Sequence, residues 1–116
     1  MTEGDLQRRI MLALSERGCR VFRNNTGRLQ DATGRWVRFG LCVGSSDIIG
    51  WTKDGRFLAV EVKAPHGKMT TAQHYFLAAV RAAGGVAIEA RSVEDAVAGV
   101  TLHPEKAGRT VTGRMG

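Results

Sequence analysis

A pair of short strand-like segments joined by a glycine-containing turn constrains the fold of this chain more than any other feature. Residues 47–52 and 56–64 have the length of short strands, and Lys53-Asp54-Gly55 lies between them. Gly55 is able to adopt the positive φ angle that a tight turn needs. The sequence therefore predicts an antiparallel hairpin at the centre of the chain.

The second strand of this hairpin carries charge on one face only. Because successive side chains of a strand point to opposite faces, the apolar residues at even positions from 58 to 64 share one face, and Glu61 and Lys63 share the other. If the hairpin folds about Asp54, position 47 falls opposite position 61. A change of one residue in turn length would shift this register. With the register kept, Asp47 and Glu61 have Cβ atoms about 5 Å apart.

Two carboxylates at that separation repel each other unless a cation lies between them. A hard divalent ion such as Mg²⁺ or Mn²⁺ fits, because it binds carboxylate oxygens and keeps several waters. Lys63 could then orient or deprotonate an attacking water, which is the equipment for hydrolysis of a phosphodiester. A charged strand face is also common on protein surfaces that hold no site, so the motif alone leaves both interpretations open.

Two polar residues are predicted to point inward from helices. Glu3 lies on the core-facing stripe of a first helix that Thr2 can cap. Gln73 lies in the same way at the start of an apolar stripe, in a helix that begins near Thr70 or Thr71. Such residues often only cover the edge of a core. Glu3 and Gln73 become site candidates because they accompany the carboxylates and lysine of the hairpin.

The remaining patterns complete the predicted fold. They indicate strands at 19–24, 35–39 and 86–90, a polar loop from 24 to 34, and a last helix that Ser92 caps. The order is αβββ(β)αβα, which predicts an α/β domain with a mixed sheet flanked by helices.

The length of 116 residues fits one domain, which we predict over residues 1–102. Residues 103–116 are expected to form a basic, flexible tail. With no apolar leader and no membrane-spanning run, the protein is expected in the cytoplasm, without a membrane partner. Cys19 and Cys42 are expected to be reduced core residues, and no zinc site is predicted.

The charge of the chain predicts a polyanionic partner. Seventeen basic residues face eleven acidic ones, for a net charge of +6, and thirteen of the basic residues are arginine. The planar guanidinium group matches phosphate well, although charge alone equally fits a solvated surface. The candidate phosphate contacts are Arg23, Asn24, Arg28, Arg35, Lys68 and His74.

Four motifs occur in order along the chain: Gly44-Ser45-Ser46-Asp47, Asp54-Gly55-Arg56, Glu61-Val62-Lys63, and Gln73 on the following helix. This ordered set resembles the PD-(D/E)XK nuclease superfamily, and within it the VRR-type nuclease domain (VRR-NUC). The short stand-alone form found in phages and bacteria is closest in length. The resemblance covers roughly residues 2–98, and Ser46 stands where the family usually has proline.

The resemblance implies a restriction-endonuclease-like fold and a Mg²⁺- or Mn²⁺-dependent endonuclease. Asp47, Glu61 and the carbonyl of Val62 would bind the metal, and Lys63 would position or activate the attacking water. Stand-alone members are similar to Holliday junction resolvases, which implies a homodimer acting on branched DNA in a bacterium or a phage-infected cell.

The resemblance also assigns supporting roles to the two helical candidates. Glu3 would reach the metal through water, and Gln73 would support the site from the second helix.

Several other interpretations fit the sequence. One is a less selective nuclease on flaps, duplex ends or RNA; another is a DNA-binding module without catalysis, or a basic structural domain. The intact set of Asp47, Glu61 and Lys63 favours an enzyme. The candidate residues for a dimer interface, which core packing explains equally well, are Trp36, Phe39, Leu41 and Trp51.

Overall fold

Four strands form a mixed sheet between two layers of helices in the computed structural model, which describes residues 1–101. The elements, in order, are α1 (Glu3–Ser15), β1 (Arg20–Arg23), β2 (Gly27–Gln30), β3 (Trp36–Phe39), β4 (Ile48–Trp51), β5 (Phe57–Val62), α2 (Thr71–Ala82), β6 (Val86–Ala90) and α3 (Val93–Thr101). The tail predicted for 103–116 and the domain end at 102 lie outside the described residues. No helix in the described part is long and apolar enough to cross a bilayer.

The predicted mixed sheet is confirmed. Its strand order is β1-β4-β5-β6, with β4 antiparallel to both β1 and β5. Strand β6 runs parallel to β5, and α2 makes the crossover between them. Parallel neighbours need such a connection, because a tight turn can only reverse the chain.

The core lies on both faces of β5. Helix α1 buries its predicted stripe of Leu6, Ile10 and Leu14 against one face, where α3 adds Ala96. Helix α2 covers the other face, with Leu77 and Val80 packed on Ala59. Each large aliphatic side chain buried in this way contributes about 1.5–3 kcal/mol. Because helices cover both faces, any polar residue of β5 is held in the protein interior.

The predicted hairpin register is confirmed. Ile48 lies opposite Val60, so the next residues outward, Asp47 and Glu61, face each other. Three side chains hold the turn: the Thr52 hydroxyl donates to Asp54 at 2.5 Å, and Arg56 Nε donates to the other Asp54 oxygen at 3.1 Å. Gly55 has the expected positive φ, +85°. These bonds fix the turn length, and with it the pairing of the two carboxylates.

The predicted polar loop over 24–34 is wrong in part, because it contains strand β2. This strand pairs antiparallel with β3 in a separate two-stranded sheet, which we call the ribbon (residues 27–39). Five strands therefore precede α2 instead of four. All residues of β2 and β3 are exposed. Strand β2 is therefore held by its hydrogen bonds to β3, and its sequence shows no alternation of buried and exposed residues.

Some cysteine and apolar side chains for which the sequence allowed a place in the core lie on the surface. Cys42 is exposed, and only Cys19 is buried as expected. The four aromatic and apolar interface candidates are all exposed by 45–60% of their surface, so core packing does not explain them. They are Trp36, Phe39, Leu41 and Trp51.

Candidate active site

Two facing carboxylates form the centre of the candidate site. Glu61 is 1% exposed, near the end of β5, and Asp47 immediately precedes β4. The backbone N–H of Val62 donates to Asp47 Oδ2 at 2.9 Å, which orients the aspartate toward β5. The hairpin thus holds both acidic groups at one end of the sheet.

Burial makes the charge on Glu61 costly. Removal from water, and then the nearby carboxyl of Asp47, raise the pKa of Glu61 to about 8, while Lys63 acts in the opposite direction. Without a cation, Glu61 therefore carries a proton at neutral pH. A cation placed between the two carboxylates would favour the charged form instead.

Lys63 follows Glu61 by two residues, so its side chain lies on the same face as Glu61, just beyond the end of β5. Its Nζ lies 3.6 Å from Glu61 Oε2, and its side chain is only 14% exposed. Its backbone N–H donates to the carbonyl of Ala90 at 3.0 Å, so pairing with β6 continues one residue beyond β5. This pairing fixes the backbone of Lys63, and its ammonium group lies beside the Glu61 carboxyl.

Gln73 reaches Glu61 from α2. Its Nε2 donates to Glu61 Oε2 at 3.0 Å, and its Oε1 accepts from the backbone N–H of Thr70 at 2.9 Å. The second bond belongs to the capping box of α2, so one side chain both closes the helix and holds Glu61. The inward orientation predicted for Gln73 is confirmed.

Glu3 is exposed at the start of α1, so the inward orientation predicted for it is wrong, and its side chain bonds to the backbone that follows Lys63. Its Oε2 accepts the backbone N–H of Ala64, 61 residues further along the chain, at 3.0 Å. This bond fastens the start of α1 to the segment that follows Lys63.

The donor atoms fit a hard divalent cation. Glu61 Oε1 is buried and has no hydrogen-bond partner within residues 1–101, beside a second carboxylate. The described residues hold no cluster of three or more His, Cys, Asp or Glu side chains suited to a metal. Two carboxylates and the carbonyl of Val62 would leave the other positions to water, which Mg²⁺ and Mn²⁺ accept and structural zinc sites do not.

Sequence reasoning missed how the loop before Asp47 is held. The backbone N–H of Asn24 donates to the carbonyl of Asp47 at 2.8 Å. The Asn24 amide donates to Ser45 Oγ at 2.7 Å and to the Ser46 carbonyl at 2.9 Å, and it accepts from Leu41. These bonds use the amide inside the protein, so the structure gives Asn24 a positioning role, and its contact with phosphate stays a prediction.

Gly44 allows this loop to approach α2. It has φ +84°, and a Cβ atom there would lie 2.6 Å from the backbone of Ala72. The glycine at the start of the Gly44–Asp47 motif was the sequence signal for this close approach.

The other predicted phosphate contacts are exposed. Arg23 is the last residue of β1, beside Ile48, and donates to the Gln7 side chain. The ribbon carries Arg28 and Arg35. The start of α2 is flanked by Lys68 and His74.

Arg91 has a structural role that the sequence analysis did not assign to it. Its guanidinium donates to the carbonyl of Ala64 at 2.7 Å and to Glu89 at 2.6 Å. It therefore supports the segment after Lys63 from the β6 side.

Ser46 offers a test of the packing around Asp47. It is fully buried, and its Oγ has no partner among the described residues. An unpaired buried hydroxyl is unfavourable, so Ser46→Ala is expected to raise the free energy of unfolding by about 1 kcal/mol. Urea denaturation measures this change. The control is Ser45→Ala: the Ser45 hydroxyl accepts from Asn24 and donates to the Cys42 carbonyl, so its loss should destabilise the protein. Equal destabilisation by both changes would contradict the conclusion that the Ser46 hydroxyl is buried without a partner.

Comparison with known proteins agrees with this geometry. The family model of the VRR-NUC domain matches residues 1–94 of the chain. The matched range contains all five residues of the predicted catalytic set, and the mixed sheet flanked by helices is consistent with a restriction-endonuclease-like fold. No curated protein and no solved structure shows significant similarity to the chain.

Proposed function

The chain belongs to the VRR-NUC domain family, which is a family of nuclease domains, and we propose that it is a Mg²⁺- or Mn²⁺-dependent endonuclease that hydrolyses phosphodiester bonds in branched DNA. One observation carries this proposal. A buried glutamate with an unpaired oxygen faces an aspartate and lies 3.6 Å from a lysine, on a chain with a net charge of +6. In the metal-free protein a proton on Glu61 relieves the repulsion, and a divalent cation would replace that proton and satisfy both carboxylates and the unpaired oxygen together.

Each residue has a definite task in this proposal. Asp47, Glu61 and the carbonyl of Val62 would hold the divalent ion, which when bound polarises the scissile phosphate and acidifies water. The ammonium group of Lys63 would position the attacking water. The oxygen of that water bonds to phosphorus as the ester P–O bond breaks, the water gives up a proton to the solvent, and the leaving oxygen takes a proton from the solvent.

The surrounding residues keep this geometry. Gln73 donates to Glu61 Oε2, which limits rotation of that carboxyl group. Glu3 holds the backbone after Lys63 and would reach the ion through water. Positioning of this kind supplies much of the rate of such enzymes, because the reacting groups need no further reorganisation.

We also propose that the chain acts as a homodimer. Two features support this: the symmetry of a four-way junction matches two-fold related sites, and the ribbon exposes Leu29, Val37 and Phe39 on one face. Exposed apolar residues grouped in this way are typical of an interface between proteins.

Cleavage of a substrate panel tests the proposed function. Purified protein is incubated with a four-way junction, flap, splayed arm, linear duplex, single strand and RNA, in Mg²⁺, in Mn²⁺ and in EDTA. Metal-dependent, symmetric nicking of the four-way junction is the expected result. Equal cleavage of all substrates would indicate a less selective nuclease, and tight binding without any cleavage would indicate a DNA-binding module.

Asp47→Asn tests the metal site directly. The change keeps the size of the side chain but removes its charge, so Mn²⁺ affinity measured by calorimetric titration should fall at least about tenfold. Circular dichroism should show that the fold persists. Glu94→Gln, which removes a carboxylate from the exposed first turn of α3, serves as control and should bind Mn²⁺ like the wild type. Unchanged affinity in Asp47→Asn would refute the assignment.

A further inference from the structure

The ribbon presents two faces of different chemistry. In its antiparallel register Arg28 lies opposite Arg38, and Gln30 lies opposite Trp36. Opposed residues of a sheet share a face, so these four side chains form one surface, which we call the basic face. The alternate residues form the apolar face described above.

The basic face carries positive charge that the ribbon does not balance. Arg28 and Arg38 are directly opposed, which is unfavourable for two like charges. Neither ribbon strand contains an acidic residue, and the carboxylate of Asp31 accepts bonds from Thr33 and Arg35 within the turn. A polyanion lying across the two arginines would remove this repulsion.

Trp36 adds a flat aromatic surface to the same face. Its side chain is 60% exposed, although indole is a large apolar group. The guanidinium carbon of Arg28 lies 4.7 Å from the centre of its ring, which holds the ring by a cation–π contact. An exposed aromatic ring among arginines is the combination with which proteins bind unpaired nucleotides: the base stacks and the phosphates pair with the cations.

The ribbon starts and ends next to the candidate active site. It is inserted between the end of β1 and the start of β4, which are neighbours in the sheet. Asn24, at its first end, donates to the Asp47 carbonyl and accepts from Leu41, at its second end. The two ends of the ribbon are therefore fastened beside Asp47, and DNA that extends from the candidate site along the ribbon would meet the basic face.

We propose that the basic face of the ribbon binds an unpaired nucleotide of DNA, whose base stacks on Trp36 while Arg28 and Arg38 contact the flanking phosphates. The inference rests on the proposed function and names the structural feature that the enzyme selects. DNA that exposes unpaired bases beside the cleavage position is bound better than a continuous duplex, in which every base is already stacked.

Fluorescence isolates this contact, because the chain has only two tryptophans, Trp36 and Trp51. In Trp51→Phe, Trp36 is the sole source of indole emission, and the phenylalanine keeps a ring against Phe22. This variant is titrated in EDTA with a single-stranded oligonucleotide, with an abasic strand of equal length and with a duplex. Saturable quenching by the single strand alone is expected. Equal quenching by the abasic strand would overturn the proposal, because only phosphates would then be in contact.

Binding affinities give an independent readout. Trp36→Ala should weaken single-strand binding by about 5- to 100-fold, and Trp36→Phe by less than about threefold, because a phenyl ring still stacks. Leu12→Ala, which removes an exposed apolar side chain of α1 outside the ribbon, is the control and should bind within about twofold of the wild type. Wild-type affinity in Trp36→Ala would refute the stacking contact.

The two proposals fail in different ways. Wild-type protein that cleaves the substrate panel while Trp36→Ala binds normally would remove the stacking inference alone. Absence of cleavage with clear Trp36 quenching in EDTA would remove the nuclease proposal and leave the ribbon as a DNA-binding surface.

Discussion

Lys63→Ala is expected to lower the rate of DNA cleavage by about 10²–10⁴-fold, the range typical of a residue that positions or transfers the reacting proton. Binding of the uncleaved substrate in Ca²⁺ or EDTA should change by less than about threefold. The reason is that DNA affinity is expected to arise from many phosphate contacts spread over the arginine-rich surface, whereas Lys63 is only 14% exposed beside Glu61. Single-turnover cleavage and fluorescence anisotropy measure the two effects separately.

Lys53→Ala provides the matched control. Lys53 lies in the turn of the same hairpin, exposed and at the opposite end from the carboxylates, so its loss removes the same charge without affecting the site. Its cleavage rate should stay within about twofold of the wild type. If Lys63→Ala cleaves as fast as Lys53→Ala, then Lys63 has no role in the chemistry.

The metal-free protein is expected to lose stability as the pH rises from about 5 to about 8. The pKa of Glu61 is raised from 4.5 to about 8 by burial and by Asp47, so across this window the folded state binds one proton that the unfolded state has released. The contribution of Glu61 protonation to stability is complete below the pKa of the unfolded state, and it is lost as the pH rises through the pKa of the folded state. Each pH unit in between lowers the free energy of unfolding by up to about 1.4 kcal/mol.

Glu61→Gln should remove this pH dependence, because the amide does not titrate. Urea denaturation in EDTA at several pH values compares it with wild type and with Glu16→Gln, an exposed carboxylate at the end of α1 that should behave like wild type. A wild-type profile that matches Glu61→Gln throughout would contradict the raised pKa.

Metal binding provides a second measurement on the same group. A divalent ion favours the charged form of Glu61, so its binding at pH 7 should release about one proton from the wild type. The calorimetric heat should then depend on the ionisation enthalpy of the buffer. Glu61→Gln should show no such dependence and little binding.

The parts of the fold that were predicted well depend on near neighbours in the chain. The hairpin and its register follow from strand alternation and a turn with Gly55, and the start of α2 follows from the Thr70–Gln73 pair. Strand β2 was missed because all of its residues are exposed, so its pairing with β3 left no apolar alternation to recognise. Exposure of Trp36 and Phe39 was also open, because an aromatic residue in a strand fits a core and a surface equally well.

The sequence by itself determined the hairpin, its turn, the helix caps and the apolar stripes, and through them the pairing of Asp47 with Glu61. These features rest on interactions within one strand pair or one helical turn, which residue type and spacing already specify. Only the tertiary structure decided the surroundings of that pair. The burial of Glu61 under α2, the bond from Ala64 to Glu3 across 61 residues, and the Asn24 bonds to the Asp47 loop all depend on how distant elements pack. Proton affinity and metal affinity are properties of that packed environment, since the cost of a charge depends on the water and the partners around it.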